Sequence, residues 1–347
     1  MSDIVVQAVA PLRISFVGGG TDFPHWYELH GGAVLSATID HFVTVTLQPR
    51  DDDRIKIRSL DLEQLVQYHL EDAPVYDGVM DLPKAAIERI GMHRGVDLDI
   101  RSDAPPGSGL GGSSALVTAV AGALAAFHGL SLTRDELAKV SYAIEREDLG
   151  IAGGWQDQYA AAFGGFNLIE FSSDRVTVTP VRAAARVLAT LRSNLLLCYT
   201  GRVRTNLGLI DTQIRLFREG REETVQGMKQ LQTTAYEMRD AVEAGDVDAL
   251  GEMLQEAHES KKRMNPQIAE GTPIEGLLEA ARRAGAVGGK ICGAGGGGYL
   301  LLYCKPDRQP AVREELERLG GQFASFQFNP WGVEARVGDA VWRPGGR

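Results

Sequence analysis

The sequence predicts two α+β domains, on three observations. The chain has 347 residues, 44 % of them hydrophobic and 24 % charged, an ordinary globular composition with room for two domains at roughly 150 residues each. Up to residue 190, strand-like alternation is interleaved with helical segments. Beyond it the texture changes to a buried strand, a long helical stretch from 206 to 285, and short glycine-flanked strands. The expected division is therefore 1–190 and 191–347.

The elements follow in order. Residues 4–17 read as strand. "HFVTVTLQ" (41–48) and "RIKIRS" (54–59) alternate as half-buried strands do. "DLPKAAIERIGMHRG" (81–95) reads as a helix with Asp81 as N-cap and Gly95 as its stop. "VDLDIRS" (96–102) alternates again, and a glycine loop leads into a helix from Ser113 to His128. The next helix, 133–148, opens on Thr133 and Glu136, a capping box. "WQDQYAAAF" predicts a short helix, and "GGFNLIEF" with "RVTVTPV" a strand pair. In the second half, "SNLLLCYT" is a buried strand; after the helical stretch come "GGKICG", "GYLLLYC", a helix at 309–319 and "GQFASFQF".

Charge and cysteines exclude several classes. Thirty-six Lys and Arg against 46 Asp and Glu give a net charge of −10, which argues against nucleic acid as a partner. An anionic ligand has to be met by a few local cations. Cys198, Cys292 and Cys304 form no CxxC pair and no zinc spacing, and read as reduced thiols of a cytoplasmic protein. The start "MSDIVVQAVAPLR" has no basic stretch ahead of an apolar one, so no signal peptide is expected. No apolar run approaches the ~18 residues of a membrane span, so no membrane association is expected either. A homo-oligomer is compatible with the sequence.

"PPGSGLGGSS" (105–114) carries the first chemical signal. It lies between a strand and a helix. Glycines let successive N–H groups turn inward to form an anion nest, and the helix behind adds unpaired N–H groups and the positive end of its dipole. Gly107, Gly109 and Gly112 satisfy GxGxxG, but a dinucleotide fold places that pattern in its first βα turn with an acidic residue about 20 positions on. Here those positions are "LAAFHGLS". Gly107 and Gly112 also have P-loop spacing, yet Ser113 stands where the lysine belongs. The loop thus lacks the cation for the terminal phosphates, which calls for Mg²⁺ and an arginine from elsewhere. A purely structural turn is a poor account of four glycines in six residues, each costing roughly 0.5–1 kcal/mol of backbone entropy in regular structure.

The same loop resembles the ATP loop of the GHMP small-molecule kinases, and two further motifs of that family are present. "PLRISFVGGGTDF" (11–23) is similar to the galactokinase signature, with Arg13 and Asp22 on its charged positions. "AVGGKICGAGGGGYLLLYC" (286–304) resembles the C-terminal glycine loop. The resemblance implies a ribosomal-protein-S5-like first domain and a ferredoxin-like second one, with ATP and substrate in the cleft between them. It implies ATP on Pro106, Gly107, Ser108, Gly109, Leu110, Gly111, Gly112, Ser113 and Ser114. Gly293, Gly295, Gly296 and Gly297 would close the site from the second domain. Substrate would meet Gly19, Gly20, Thr21, Asp22 and Gly154, with Asp22 accepting from sugar hydroxyls. Capping of a helix at "FPHWYELHGG" is the plainer account of Asp22. Galactokinases carry Glu-His where Gly19 and Gly20 stand, so galactose itself is not expected.

Glu145, Gly150 and Asp157 have the family spacing of a metal carboxylate, a glycine and a catalytic aspartate. The resemblance makes Glu145 and Ser113 the Mg²⁺ ligands, with Ser114 an alternative because the loop has one more glycine than mevalonate kinases have. Asp157 would receive the proton of the attacking hydroxyl, and Arg13 beside it would hold the carboxylate ionised. Two basic clusters, Arg202 with Arg204 and Lys261–Lys262–Arg263, are each most simply solvated faces. If the substrate already bears a phosphate, these are the candidates to hold it. Lys290 reads as a surface lysine at a strand end.

Within the family, residues 18–40 and 145–167 are most similar to the heptose 7-phosphate kinases. That implies phosphorylation of the anomeric hydroxyl of D-glycero-D-manno-heptose 7-phosphate to the 1,7-bisphosphate, a small sugar phosphate being the partner. A 1-kinase for fucose or glucuronate would use the same residues. A non-catalytic sugar-phosphate sensor would keep Asp22 and the glycine loops but has no need of Arg13, Glu145 and Asp157 together.

Overall fold

The structure, a computed structural model, describes residues 4–201, 208–268 and 272–346, and every statement below concerns those residues. The chain opens with β1 (Val6–Val17), buried throughout from Ala10 onward. α1 (Pro24–His30) leads into β2 (Gly32–Pro49). The strand expected at 41–48 is the outer end of β2. Residues 32–39 do not alternate because they are buried on both faces.

β3 (Arg54–Ser59) forms a hairpin with β4 (Gln64–His69), whose exposed pattern gave no sequence signal. α2 (Asp81–Ile90) starts one residue earlier than expected. Met80 is its N-cap at φ +56°, while the Asp81 carboxylate accepts the Gly78 N–H at 2.7 Å. The helix also stops earlier, at Gly91 (φ +90°). Gly95 serves close approach instead: a Cβ there would lie 2.4 Å from the Asp52 carbonyl oxygen.

β5 (Val96–Ser102) precedes α3 (Gly112–His128). α4 (Arg134–Ala143) has the expected capping box between Thr133 and Glu136 and runs on into a π-helical turn, Ile144–Asp148. α5 (Gln156–Phe163), β6 (Phe166–Phe171) and β7 (Val176–Pro180) complete the first half. The second half holds α6 (Ala185–Ser193), β8 (Leu195–Tyr199), α7 (Leu209–Arg218), α8 (Glu222–Ala244), α9 (Ala249–Met264) and α10 (Ile274–Ala284). Then come β9 (Gly288–Ile291), β10 (Tyr299–Tyr303), α11 (Gln309–Arg318), β11 (Gln322–Ala324), β12 (Glu334–Val337) and β13 (Ala340–Trp342).

The first sheet runs β13-β12-β1-β2-β5-β3-β4, with β6 and β7 on the inner end of β2. β12 pairs with β1 in the register Val6↔Val337. Residues 334–342 therefore add to the first sheet although they lie beyond the 190/191 division. The second sheet runs β11-β8-β10-β9, all antiparallel. In its own chain order that is 4-1-3-2, a ferredoxin-like arrangement.

α3 is apolar all round because it is covered all round, by β1, β2, α2, α4 and α5. One buried cluster extends without a break from Val6 and Ile14 to Leu302 and Leu316, so the two sheets share a core. No helix of the described residues is long and apolar enough to cross a membrane.

α8 and α9 pack closely at Gly227. A Cβ there would come 2.6 Å from Ser260 O and 2.7 Å from Met264 N, both backbone atoms of α9. Gly227→Ala is expected to lose about 1–3 kcal/mol by forcing the helices apart. A urea or thermal melt that matched the parent would show that α9 is not held at this spacing.

Candidate active site

A cleft of about 1160 Å³ lies between the two halves of the chain. Its walls come from residues 13–23, the glycine loop, and residues 151–157 on one side. α9 and the β9–β10 loop form the other. Clefts between domains are where ligands usually bind.

The first glycine loop forms the floor. Gly107, Gly109 and Gly111 have φ of +72°, +81° and +77°, values that favour glycine. Gly111 caps α3 with no side-chain cap bond, so the first N–H groups of the helix remain free for an anion. Pro106, Gly107, Ser108, Gly109, Gly111, Gly112 and Ser113 line the cleft. Leu110 and Ser114 do not: both side chains are buried. The Leu110 carbonyl accepts the Arg13 N–H at 2.9 Å.

The second loop closes over the first. A Cβ on Gly109 would meet Cys292 O at 2.7 Å, and one on Gly293 would meet Gly109 Cα at 2.5 Å. Gly293, Gly295 and Gly297 line the cleft, whereas Gly296 gives its N–H to Ile268 O.

Arg13 is 4 % exposed and ties three pieces together. Its Nε and Nη2 reach Asp157 Oδ1 at 2.8 and 2.7 Å, and its Nη1 donates to Gly109 O at 2.7 Å. Both carboxylate contacts fall on Oδ1, and among the described residues no donor reaches Oδ2. Asp157 sits in the first turn of α5 and opens onto the cleft.

Asp22 faces the same space but caps no helix of its own. α1 has Phe23 as N-cap, without a side-chain cap. Instead Asp22 accepts from Gly20 N (2.9 Å), Gln156 N (3.1 Å) and Gln156 Nε2 (3.2 Å), and so orients the start of α5. Burial raises its pKa, with the Asp157 charge adding to the effect. Gly19, Gly20 and Gly154 line the cleft beside it. Gly154 has to be glycine, since a Cβ would lie 2.0 Å from Asp22 Oδ2. Thr21 turns away: its hydroxyl bonds Gly18 O and Ala33 O and braces the loop.

Glu145 is fully buried on the π-helical turn. Its serine partner is Ser114, whose hydroxyl donates to Oε2 at 2.6 Å; Gln158 donates to the same oxygen. Ser113 stays exposed at the cleft mouth. The one-residue difference is a helical rotation of about 100°, invisible to spacing alone. Glu145 Oε1 has no hydrogen-bond partner, with Arg146 Nη1 3.8 Å away. No group of three or more His, Cys, Asp or Glu gathers as a metal site among the described residues.

The basic residues depart most from the sequence reading. Arg202 and Arg204 lie outside the described residues. Lys262 pairs with Glu275 and Glu259, and Arg263 is exposed. Lys261 is buried in the cleft wall and donates to Gly293 O. Lys290, expected at the surface, is 4 % exposed, lines the cleft and donates to Ser15 O at 2.6 Å. The missed signal was helical phase. Leu254, Ala257, His258 and Met264 form the buried stripe of α9, and Lys261 falls on it. Gln156 and Arg146 also escaped the sequence. Arg146 lines the cleft and bonds the carbonyls of Ile151 and Gly154.

Residues 79–165 match the GHMP kinases N terminal domain and residues 238–322 the GHMP kinases C terminal model. A D-glycero-alpha-D-manno-heptose 7-phosphate kinase of Campylobacter jejuni is 34 % identical over 95 % of this chain and 98 % of its own. The chain is a GHMP kinase. A solved D-glycero-D-manno-heptose 1-phosphate kinase from Bacteroides thetaiotaomicron superposes on this kinase with TM-score 0.80 and 30 % identity, covering 96 % of this chain and all of the other. An L-fucokinase/L-fucose-1-P guanylyltransferase of Bacteroides fragilis is 28 % identical over 90 % of this chain and 36 % of its own. The two-domain α+β architecture is that of the family. As a member, this kinase transfers a phosphoryl group from ATP.

The buried lysines of the kinase have a measurable cost. Burial lowers the Lys261 pKa from 10.5 to about 7, with the Lys290 charge adding to it; Lys290 falls to about 8 for the same first reason. Below the folded pKa the native state carries the whole cost of the buried charge. That cost fades as pH rises toward the unfolded value. Lys261→Met is therefore expected to raise the melting temperature, most at about pH 6 and least at about pH 10. A gain that grew with pH would contradict the assignment.

Proposed function

We propose that this GHMP kinase phosphorylates the anomeric hydroxyl of D-glycero-D-manno-heptose 7-phosphate, giving the 1,7-bisphosphate. The observation that carries the reading is the whole-chain similarity to the Campylobacter heptose 7-phosphate kinase. Asp22 and Asp157 opening onto one cleft under the glycine loop support it.

In this reading the triphosphate lies on the N–H groups of residues 107–113 and the sugar lies toward Asp22. The free Oδ2 of Asp157 faces the attacking hydroxyl, while Arg13 fixes Oδ1. The hydroxyl oxygen bonds to the γ-phosphorus, the bond to the β–γ bridging oxygen breaks, and ADP leaves with the electron pair. The hydroxyl proton passes to Asp157. An anomeric hydroxyl is more acidic than an ordinary alcohol, so one carboxylate suffices. Phosphoryl transfer depends mainly on such positioning and on charge stabilisation.

Mg²⁺ takes oxygen ligands and is usually held by one or two carboxylates plus substrate phosphates. The unpartnered buried oxygen of Glu145 beside the Ser114 hydroxyl fits that donor chemistry. These two residues would hold the ion, which neutralises phosphate charge when bound. A fucose-type 1-kinase is the second reading, favoured by the similarity to the Bacteroides fragilis fucokinase.

ADP release assayed across a sugar panel tests the substrate. Turnover with heptose 7-phosphate, and an acid-labile phosphate in the product, are expected. Turnover with free fucose alone would favour the second reading, and none with any sugar would favour a sensor. Asp157→Asn is expected to lower kcat by roughly 10²–10⁴ with the fold intact. Parent-like turnover in that variant would reduce Asp157 to a structural partner of Arg13.

A further inference from the structure

Among the described residues the kinase has three buried lysines: Lys84, Lys261 and Lys290. Lys84 shows the ordinary solution to burial, with Asp77 and Asp81 at 3.0 and 3.1 Å. Lys261 and Lys290 differ. Among the described residues neither has a carboxylate within ion-pair distance. Each ammonium carries three donors, and for each the structure shows one bond, to a carbonyl: Gly293 O for Lys261 and Ser15 O for Lys290. Both side chains line the cleft rather than the surface. Beyond burial, Lys290 and Arg13 act on Lys261 as like charges and Arg13 acts so on Lys290, while Cys292 opposes this on both and Asp22 on Lys261. A buried cluster of like charge is costly unless an anion completes it.

Its position says which anion. Gly293, the acceptor of Lys261, rests against Gly109, whose carbonyl also holds Arg13. Lys261 is thus fixed where the two glycine loops touch. Lys290 is fixed to β1 two residues from Arg13. The first loop, in turn, has Ser113 where a P-loop carries its phosphate-binding lysine.

We propose that Lys261 and Lys290 supply that missing cation from the second half of the chain, binding the terminal phosphoryl oxygens of ATP and holding them through transfer. This rests on the use of ATP, not on the identity of the sugar. The bonds made and broken are those given above. The lysines accept no proton from the attacking hydroxyl and form no bond to phosphorus. They stabilise charge on the equatorial oxygens, where it gathers in a loose transition state. The depressed pKa values agree with a site built to receive an anion and left uncompensated without one.

The test is calorimetric titration of the full chain with Mg·ADP and with the non-hydrolysable Mg·β,γ-imido-ATP. Lys261→Met and Lys290→Met are compared with the parent, and thermal melts establish folding. If one variant does not fold, the other still carries the test. The parent is expected to bind the triphosphate more tightly than the diphosphate. Each variant should weaken the triphosphate by about tenfold, a loss of about 1.4 kcal/mol, and leave ADP within about twofold. Equal weakening of both nucleotides, or of neither, overturns the proposal. So does an unchanged nucleotide affinity with a raised KM for a phosphorylated sugar, which would make the occupant the substrate's own phosphate. If the parent binds neither nucleotide, the use of ATP fails too. If it binds both and the variants match it, the lysine assignment fails alone.

Discussion

The Arg13 guanidinium is the contact on which the site depends. It sits on β1, takes one oxygen of Asp157 from α5, and takes the carbonyl of Gly109 from the phosphate loop. Three elements far apart in sequence are thereby brought to one point. The strand sets the depth, the loop sets the position of phosphate, and the helix sets the carboxylate. Charge-assisted bonds in a buried setting are strong and directional, so the spacing between nucleophile partner and phosphate loop is fixed before any ligand enters. Asp22 repeats the device from the other side, holding the first N–H of α5. α5 is thus anchored at two acidic residues, one its own and one borrowed.

Much of this was legible because it is written in glycine. A main-chain nest needs φ values that other residues resist, and Gly107, Gly109 and Gly111 adopt them. Spacing alone therefore pointed to the loops. Glu145 and Asp157 were picked out only by the family resemblance, through their spacing about Gly150. What failed was anything decided by helical phase or by a distant partner. Ser114 rather than Ser113 meets Glu145. Thr21, read as touching substrate, is spent on bracing its own loop. Lys290 looked solvated because a lysine in a short strand usually is, yet it is buried in the cleft wall and reaches Ser15 O on β1, a partner 275 residues away in sequence.

The cleft also shows how polar groups divide the work. Carboxylates gather on the first half of the chain: Asp22, Asp157 and, behind the loop, Glu145. The unpaired cations, Lys261 and Lys290, come from the second half. On the first half the cleft arginine Arg13 is spent on Asp157, so the cations without a carboxylate partner come from the second. A ligand with a neutral sugar end and a polyanionic end finds hydroxyl acceptors on one wall and ammonium donors on the other. The overall net charge of −10 gives no hint of this, because a handful of oriented groups at short range outweighs a diffuse surface field in a low-dielectric cleft.

The pairing of β12 with β1 bears on how the molecule is born. β1 is the strand of Arg13, and its outer edge is covered only by residues 334–337. During synthesis some three hundred residues emerge from the ribosome while that edge stays open. An unpaired strand edge is a template for wrong partners, and so distant a pairing is slow to form. The nascent chain therefore carries the strand of Arg13 with one edge unpaired until residues 334–337 have been translated.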